Sequence, residues 1–200
     1  ISVNYSFLEN TYFQVDQIGR SNFTIPYFDG SLSISRASRT FPQFLIFKPA
    51  MIITGILLIF YWNINNELIN NFYKTKRNYK FKLFGILSAI FLILHSILLG
   101  VSFDISIFKL LRRVVLLGFI IFEIIAQCIL VYNFFKLKKV IDKFFNKNIL
   151  KLKILLVSLL SSVAILSLPL LIVRGNIHFK HGLEWNYFLG VIMFYLLTNF

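Results

Sequence analysis

Five long apolar stretches, separated by polar or basic connections, dominate this chain. Each is close to the roughly 20 residues that an α-helix needs to cross the hydrocarbon core of a bilayer. They are Phe44 to Trp62, Leu83 to Val101, Val114 to Tyr132, Ile154 to Val173, and Trp185 to Phe200. The pattern predicts an all-α polytopic transmembrane helical bundle over residues 44–200, preceded by a more polar segment, residues 1–43.

Lysine and arginine crowd into alternate connections between these spans. The connections after the first and third spans hold twelve basic residues: Lys74, Lys76, Arg77, Lys80, Lys82, Lys136, Lys138, Lys139, Lys143, Lys147, Lys151 and Lys153. The connections after the second and fourth spans hold five: Lys109, Arg112, Arg113, Arg174 and Lys180. The positive-inside rule therefore predicts that the first set is cytoplasmic. Residues 1–43 are then extracytoplasmic and the C-terminus cytoplasmic.

An extracytoplasmic segment of this length has to be delivered across the membrane. The sequence begins at Ile1, with neither an initiating methionine nor a signal peptide. A preceding transmembrane helix would give six spans with both ends cytoplasmic, whereas a cleaved signal peptide would give five. We expect the first arrangement, in which five spans are present and a sixth, first in order, is missing from the N-terminus.

The composition is typical of a membrane protein and indicates which class of partner it binds. Hydrophobic residues make up 58% of the chain, only 14% of residues are charged, and the formal net charge is +13. The basic residues flank apolar spans, where they meet anionic lipid headgroups, so we expect membrane lipids and not nucleic acid as partners. Part of the basic excess also fits the Ile, Phe, Lys and Asn usage of an AT-rich genome. The single cysteine, Cys128, excludes an intrachain disulfide, and no cofactor is expected.

The third span contains a carboxylate well inside its apolar run. Glu123 is followed one helical turn later by Gln127, on the same face. A polar group at that depth needs a partner, because an unpaired charge in hydrocarbon is costly. Counting inward from the connection between the second and third spans predicts His95 and Ser96 as the nearest partners. The Glu123 carboxyl group then either forms a hydrogen bond between helices or binds a lipid or a proton.

Two histidines lie just before the fifth span, at its outer end. His178, His181 and Glu184 have a spacing at which a zinc ion could be bound, and metal-bound water could hydrolyse an ester. The connection is short and contains no third histidine. We therefore expect no metal site, although His178 and His181 are weak candidates for metal ligands.

The polar segment contains a turn close to the plane of the lipid headgroups. Pro26, Asp29 and Gly30 mark the turn, and serine and arginine residues follow it. The segment is either an ordinary solvated loop or a headgroup site. Trp62 and Trp185 fall at span ends, where the indole of tryptophan anchors helices at the interface.

Two parts of the sequence resemble the DRAM/Frag/Sfk family of six-pass membrane proteins. The first part comprises Ile25 to Ser33, Phe41 to Gln43 and Ile46 to Lys48, and it is similar to that family's first outer loop. The second, Gly182 to Trp185, resembles the start of its last helix. The resemblance implies six spans and action on membrane lipids, through GPI-lipid remodelling, phospholipid asymmetry or lysosomal membrane function. It singles out the polar residues Asp29, Ser31, Ser33, Gln43, Lys48 and Glu184.

These observations lead to one main hypothesis and two alternatives. The main hypothesis is a lipid-binding protein and not an enzyme: it binds or organises lipids at the extracytoplasmic leaflet. Its candidate residues are Asp29, Ser31, Ser33, Lys48, Arg112, Arg113 and Glu184, because arginine and a polar turn can hold a phosphate. An intramembrane lipid hydrolase or acyltransferase would instead use His95, Glu123 or the two histidines near the fifth span. A transporter would use Glu123.

Overall fold

The computed structural model describes residues 26–30, 33, 34, 38, 43–74, 79–99, 106–141, 146–172 and 175–197. In these residues the chain is all-helical, which confirms the predicted fold class. One short helix, α1 (Pro26–Asp29), precedes five long ones. They are α2 (Gln43–Tyr73), α3 (Lys80–Leu98), α4 (Ser106–Ile141), α5 (Lys147–Ile172) and α6 (Ile177–Leu196). Residues 1–25, which form much of the predicted extracytoplasmic segment, lie outside the described residues.

The helices extend beyond the apolar stretches that predict them. Helix α2 continues about three turns past Trp62. Helix α4 has 36 residues, which corresponds to about 54 Å, well beyond the hydrocarbon thickness of about 30 Å. Several lysines predicted in the basic connections therefore lie on helices, including Lys136 on α4 and Lys151 on α5. Lys153 is even buried, with its Nζ 4.9 Å from the centre of the Phe194 ring.

Four helices are long and apolar enough to cross a membrane. They are α2, α3, the Leu110–Leu137 part of α4 and the Lys147–Ser167 part of α5. The chain is thus a multi-pass membrane protein. Helix α6, predicted as the fifth span, is not among the four when only the described residues are searched. Its first half carries His178, Lys180 and Glu184, which lower its apolar character.

Helices α2, α3 and α4 form the best-packed part of the bundle. Helix α3 lies between α2 and α4, α5 packs on α4, α6 on α5, and α1 on α6. The bundle has two ends. The end at which α1 lies, with the starts of α2, α4 and α6 and the last turns of α3 and α5, is called the α1 end below. Large apolar side chains remain exposed around the bundle, as expected of lipid-facing surface: examples are Ile53 and Phe60 of α2 and Ile165 of α5.

Trp62 belongs to the core, so the prediction that it anchors α2 at the interface is wrong. Its side chain is 0% exposed and packs against Gly85 of α3, where an added Cβ would overlap the indole ring. Glycine at this position lets the two helices approach closely, as small residues do in membrane bundles. Close to this contact, Phe81 of α3 packs on the same indole, with ring centres 6.2 Å apart.

Candidate functional site

The most polar point of the membrane-spanning bundle is Glu123 of α4. It lies at the middle of the Leu110–Leu137 span and is 0% exposed. Gln127, one turn further along α4, is also buried. The predicted pair of polar residues therefore faces the interior of the bundle and not lipid.

Three side chains from three helices contact the Glu123 carboxyl group. Ser88 of α3 lies 2.6 Å from Oε2, and the Gln127 amide donates to Oε1 at 2.8 Å. The Tyr195 hydroxyl of α6 donates to Oε1 as well. Ser88, Glu123, Gln127 and Tyr195 are called the Glu123 cluster below. The cluster ties α6 to the α3–α4 pair.

The partner from α3 is Ser88, two helical turns from the predicted His95. Ser96, the other predicted partner, instead contacts the backbone oxygen of Lys48 of α2, at 3.2 Å. The depth count took Val114 as the start of the third span, but α4 begins about two turns earlier, at Ser106. Glu123 therefore lies deeper than predicted, and the prediction of its partners is wrong.

Aromatic side chains enclose the Glu123 cluster on the side of α2. The Tyr195 ring meets Tyr61 edge to face, with ring centres 4.9 Å apart, and Trp62 at 6.4 Å. Within the described residues, two buried polar atoms near the cluster have no hydrogen-bond partner, the indole nitrogen of Trp62 and the hydroxyl of Tyr187. These rings cover the cluster on the side of α2, and Glu123 itself is fully buried.

At the α1 end, α1 is held against the first half of α6. Asn186 donates to the Tyr27 carbonyl at 2.9 Å, and the Tyr27 ring tilts over Trp185 at 5.2 Å. His181 Nδ1 lies 3.0 Å from the Gly30 carbonyl, and it must donate, because a carbonyl oxygen only accepts. We call these contacts among Tyr27, Gly30, His181, Trp185 and Asn186 the α1–α6 clasp.

Gly30 is required at this point of the clasp for two reasons. Its φ is +56°, in the left-handed region that glycine adopts without strain. An added Cβ would also overlap the backbone carbonyl of His178. A side chain here would therefore push α1 away from α6.

Within the part of the chain that the structure describes, the two histidines near the start of α6 belong to no group that could hold a metal ion. His178 is exposed, and His181 is occupied by the clasp. Among the described residues, no group of three or more His, Cys, Asp or Glu side chains is arranged to hold a metal ion.

The cationic candidates for headgroup binding lie on helix starts at the α1 end. Lys48, in the second turn of α2, and Arg112 of α4 are half-buried, whereas Arg113 is exposed. The contact from Ser96 to the Lys48 backbone holds the start of α2 beside the last turn of α3, close to where α4 begins.

The structure describes only some of the remaining candidate residues for headgroup binding. Gln43 begins α2 and is exposed, Glu184 of α6 is half-buried, and Ser33 is buried. Asp29 ends α1, and its side chain, like the whole of Ser31, lies outside the described residues.

Sequence reasoning missed Ser88, Tyr195 and Asn186. For Ser88 a signal was available: Gly85, Ser88 and Ala89 repeat at the three- and four-residue spacing of a close helix contact. For Tyr195 and Asn186 we find no comparable local pattern, since their partners lie 72 and 159 residues away in sequence.

Comparison of the chain with protein families, with curated proteins and with solved structures finds no match.

Proposed function

We propose that this multi-pass membrane protein binds or organises lipid headgroups at the extracytoplasmic leaflet, with its α1 end as the binding region. The α1–α6 clasp is the observation that carries the proposal. It holds α1 and Gly30 on the end of the bundle where Lys48, Arg112 and Arg113 lie. By the positive-inside rule this end is extracytoplasmic.

The chemistry of this end suits a phosphate-bearing headgroup. Guanidinium groups bind phosphate oxygens through paired, charge-assisted hydrogen bonds. Arg112 and Arg113 offer this at the start of α4, and Lys48 adds an ammonium group. The half-buried Glu184 of α6 is an acceptor for a headgroup amine. The exposed apolar face of α2, which includes Ile46 next to Lys48, offers a surface to the acyl chains.

The family resemblance supports the same region. The two parts of the sequence that resemble the DRAM/Frag/Sfk family, residues 25–33 and 182–185, meet in the clasp through Tyr27 and Trp185. We infer from the resemblance that the bound lipid is remodelled or kept asymmetric between leaflets, with this protein or a partner performing that step.

The alternatives gain less support. A hydrolase or acyltransferase would need a histidine beside Glu123 or a metal, and the contacts of Glu123 are with Ser88, Gln127 and Tyr195. The transporter alternative depends on Glu123 alone and stays a prediction.

A charge-matched pair of variants tests the proposal. We expect the double variant R112Q/R113Q to lose roughly tenfold or more of the anionic phospholipid that co-purifies with the protein, because each charge-assisted hydrogen bond contributes about 1.5–3 kcal/mol. Quantitative lipid mass spectrometry on the purified protein measures the retention.

The control is K147Q/K151Q, which removes the same charge from two exposed lysines of α5 at the opposite end. It should retain lipid as the unaltered protein does. Equal retention by the arginine variant and the unaltered protein would exclude the proposed site.

A further inference from the structure

The hydroxyl group of Ser88 lies between two oxygen atoms. It is 2.6 Å from Glu123 Oε2 and 2.8 Å from the backbone carbonyl oxygen of Gly85. Both distances are those of O–H···O hydrogen bonds. Three oxygens thus lie in a row, joined by two contacts that each need one hydrogen.

Counting hydrogens shows that one is missing if Glu123 is ionised. The Gly85 carbonyl has no hydrogen to give, and the Ser88 hydroxyl has one. If Ser88 donates to Glu123, its oxygen faces the Gly85 carbonyl at 2.8 Å with no hydrogen between them. If Ser88 donates to Gly85, as serine often does three residues along a helix, it faces a bare carboxylate at 2.6 Å. Either arrangement sets two electron-rich oxygens against each other.

The other carboxyl oxygen of Glu123 does not change this count. Oε1 accepts from the Gln127 amide and the Tyr195 hydroxyl, and both of these donors are already used there. A proton on Oε2 therefore completes the cluster: Oε2 donates to Ser88, Ser88 donates to Gly85, and Oε1 accepts twice.

No cation in the part of the chain that the structure describes contacts Glu123 in place of the proton. Among the described residues, the partners of Glu123 are Ser88, Gln127 and Tyr195, and none of them is a cation. Tyr187 of α6 is another titratable group near Glu123, and it is not a cation either. A carboxylate at the middle of a span, without a cation, is costly in free energy.

We infer that Glu123 carries a proton on Oε2 and that the Glu123 cluster is a proton-binding site at the middle of the bundle. The ligand is a single proton, and the groups that recognise it are the Ser88 hydroxyl and, through it, the Gly85 carbonyl. The inference is independent of the lipid-binding proposal, because it involves neither the α1 end nor its arginines.

Infrared difference spectroscopy on the full chain in phosphatidylcholine vesicles tests this inference at neutral pH. A protonated carboxyl group has a C=O stretching band that is separate from the bands of a carboxylate. We expect this band in the spectrum of the unaltered protein, its shift in deuterated water, and its loss in E123Q. Carboxylate bands lost in E123Q, with no acid band, would overturn the inference.

The matched control is E67Q, which removes the exposed carboxyl group of Glu67 on α2. The acid band assigned to Glu123 should persist in E67Q, and its loss there would overturn the assignment.

The folding of E123Q gives a second, separate result. Glutamine has an NH₂ group where the protonated acid has its O–H, so it can donate to Ser88 and still accept twice. We expect E123Q to fold and to keep the thermal stability of the unaltered protein. A variant that fails to fold would contradict a neutral Glu123 and would leave the lipid proposal untouched.

Discussion

Trp62 shows how the same side chain can suit two environments. An indole at the end of an apolar stretch predicts an interfacial anchor. In the structure α2 continues past it, and the indole fills the space left by Gly85. The sequence contains both residues, but only the rotation of α2 against α3 decides that they meet.

The indole of Trp62 should contribute through its volume and not through its N–H group. Its nitrogen has no hydrogen-bond partner among the described residues. We expect W62A to lower the free energy of unfolding by about 3–5 kcal/mol and W62F by less than about 1.5 kcal/mol. Denaturant titration in detergent micelles measures both. Equal costs for the two variants would show that the N–H group is bonded after all.

Gly85 should be less tolerant of a methyl group than Gly190. In G85A the new Cβ overlaps the rigid indole of Trp62, whereas in G190A it meets the end of the Leu160 side chain at 2.6 Å, which can rotate. We expect G85A to lose about 1–3 kcal/mol of stability through overpacking. Alanine gains helix propensity equally at both positions, so the same titration on G190A isolates the strain. A G190A variant as unstable as G85A would contradict this account.

Among the residues of the candidate site, Glu123 and Gln127 were predictable as a pair, whereas the contacts of Ser88 and Tyr195 with Glu123 were not. The first two share a face of one helix, which spacing alone reveals. Ser88 and Tyr195 contact Glu123 because all three lie at the same depth in the bundle. The depth of Glu123 depends on the residue at which α4 begins. The apolar stretch does not give that start, because α4 begins at Ser106, before its membrane-spanning part, which begins at Leu110.

At the scale of elements, the apolar pattern predicted the existence of the helices better than their ends. Hydropathy ends where side chains become polar, but the backbone of a helix continues as long as its hydrogen bonds are satisfied. Asn65 illustrates this, since its side chain donates to the Tyr61 carbonyl at 2.8 Å inside α2. Polar residues that bond within their own helix extend it without extending the apolar stretch.

The α1–α6 clasp should be separable from the stability of the bundle. We expect the variant H181A/N186A to lose protection from hydrogen exchange at residues 26–30, because it removes both side-chain hydrogen bonds to α1. Protection in α3 and α4 should stay unchanged, since these helices do not contact α1 extensively. Hydrogen-exchange mass spectrometry resolves the two regions.

The control for the clasp is N133A. Asn133 donates to the Ile129 carbonyl at 2.8 Å, within its own helix, so its loss should leave α1 protected. If α1 keeps its protection in H181A/N186A as well, the clasp does not depend on these two bonds.

At the scale of the whole molecule, the long helices run in alternating directions through the bundle. Which end of the bundle faces the cytoplasm is a prediction from the distribution of charge. Single-cysteine labelling in intact cells tests it, with Cys128 replaced by serine in both variants. We expect a membrane-impermeant maleimide to label N176C, between α5 and α6, and not K74C, at the end of α2, until the cells are opened. The reverse pattern would place the α1 end in the cytoplasm and remove the basis of the lipid proposal.

Helix α6 contacts both regions of interest, with Trp185 in the clasp and Tyr195 in the Glu123 cluster. These residues lie about 15 Å apart along one helix. If α6 moves as a unit, the two sites are thermodynamically linked. A headgroup that binds more tightly in one position of α6 then changes the proton affinity of Glu123, and the proton changes the affinity for that headgroup by the same factor.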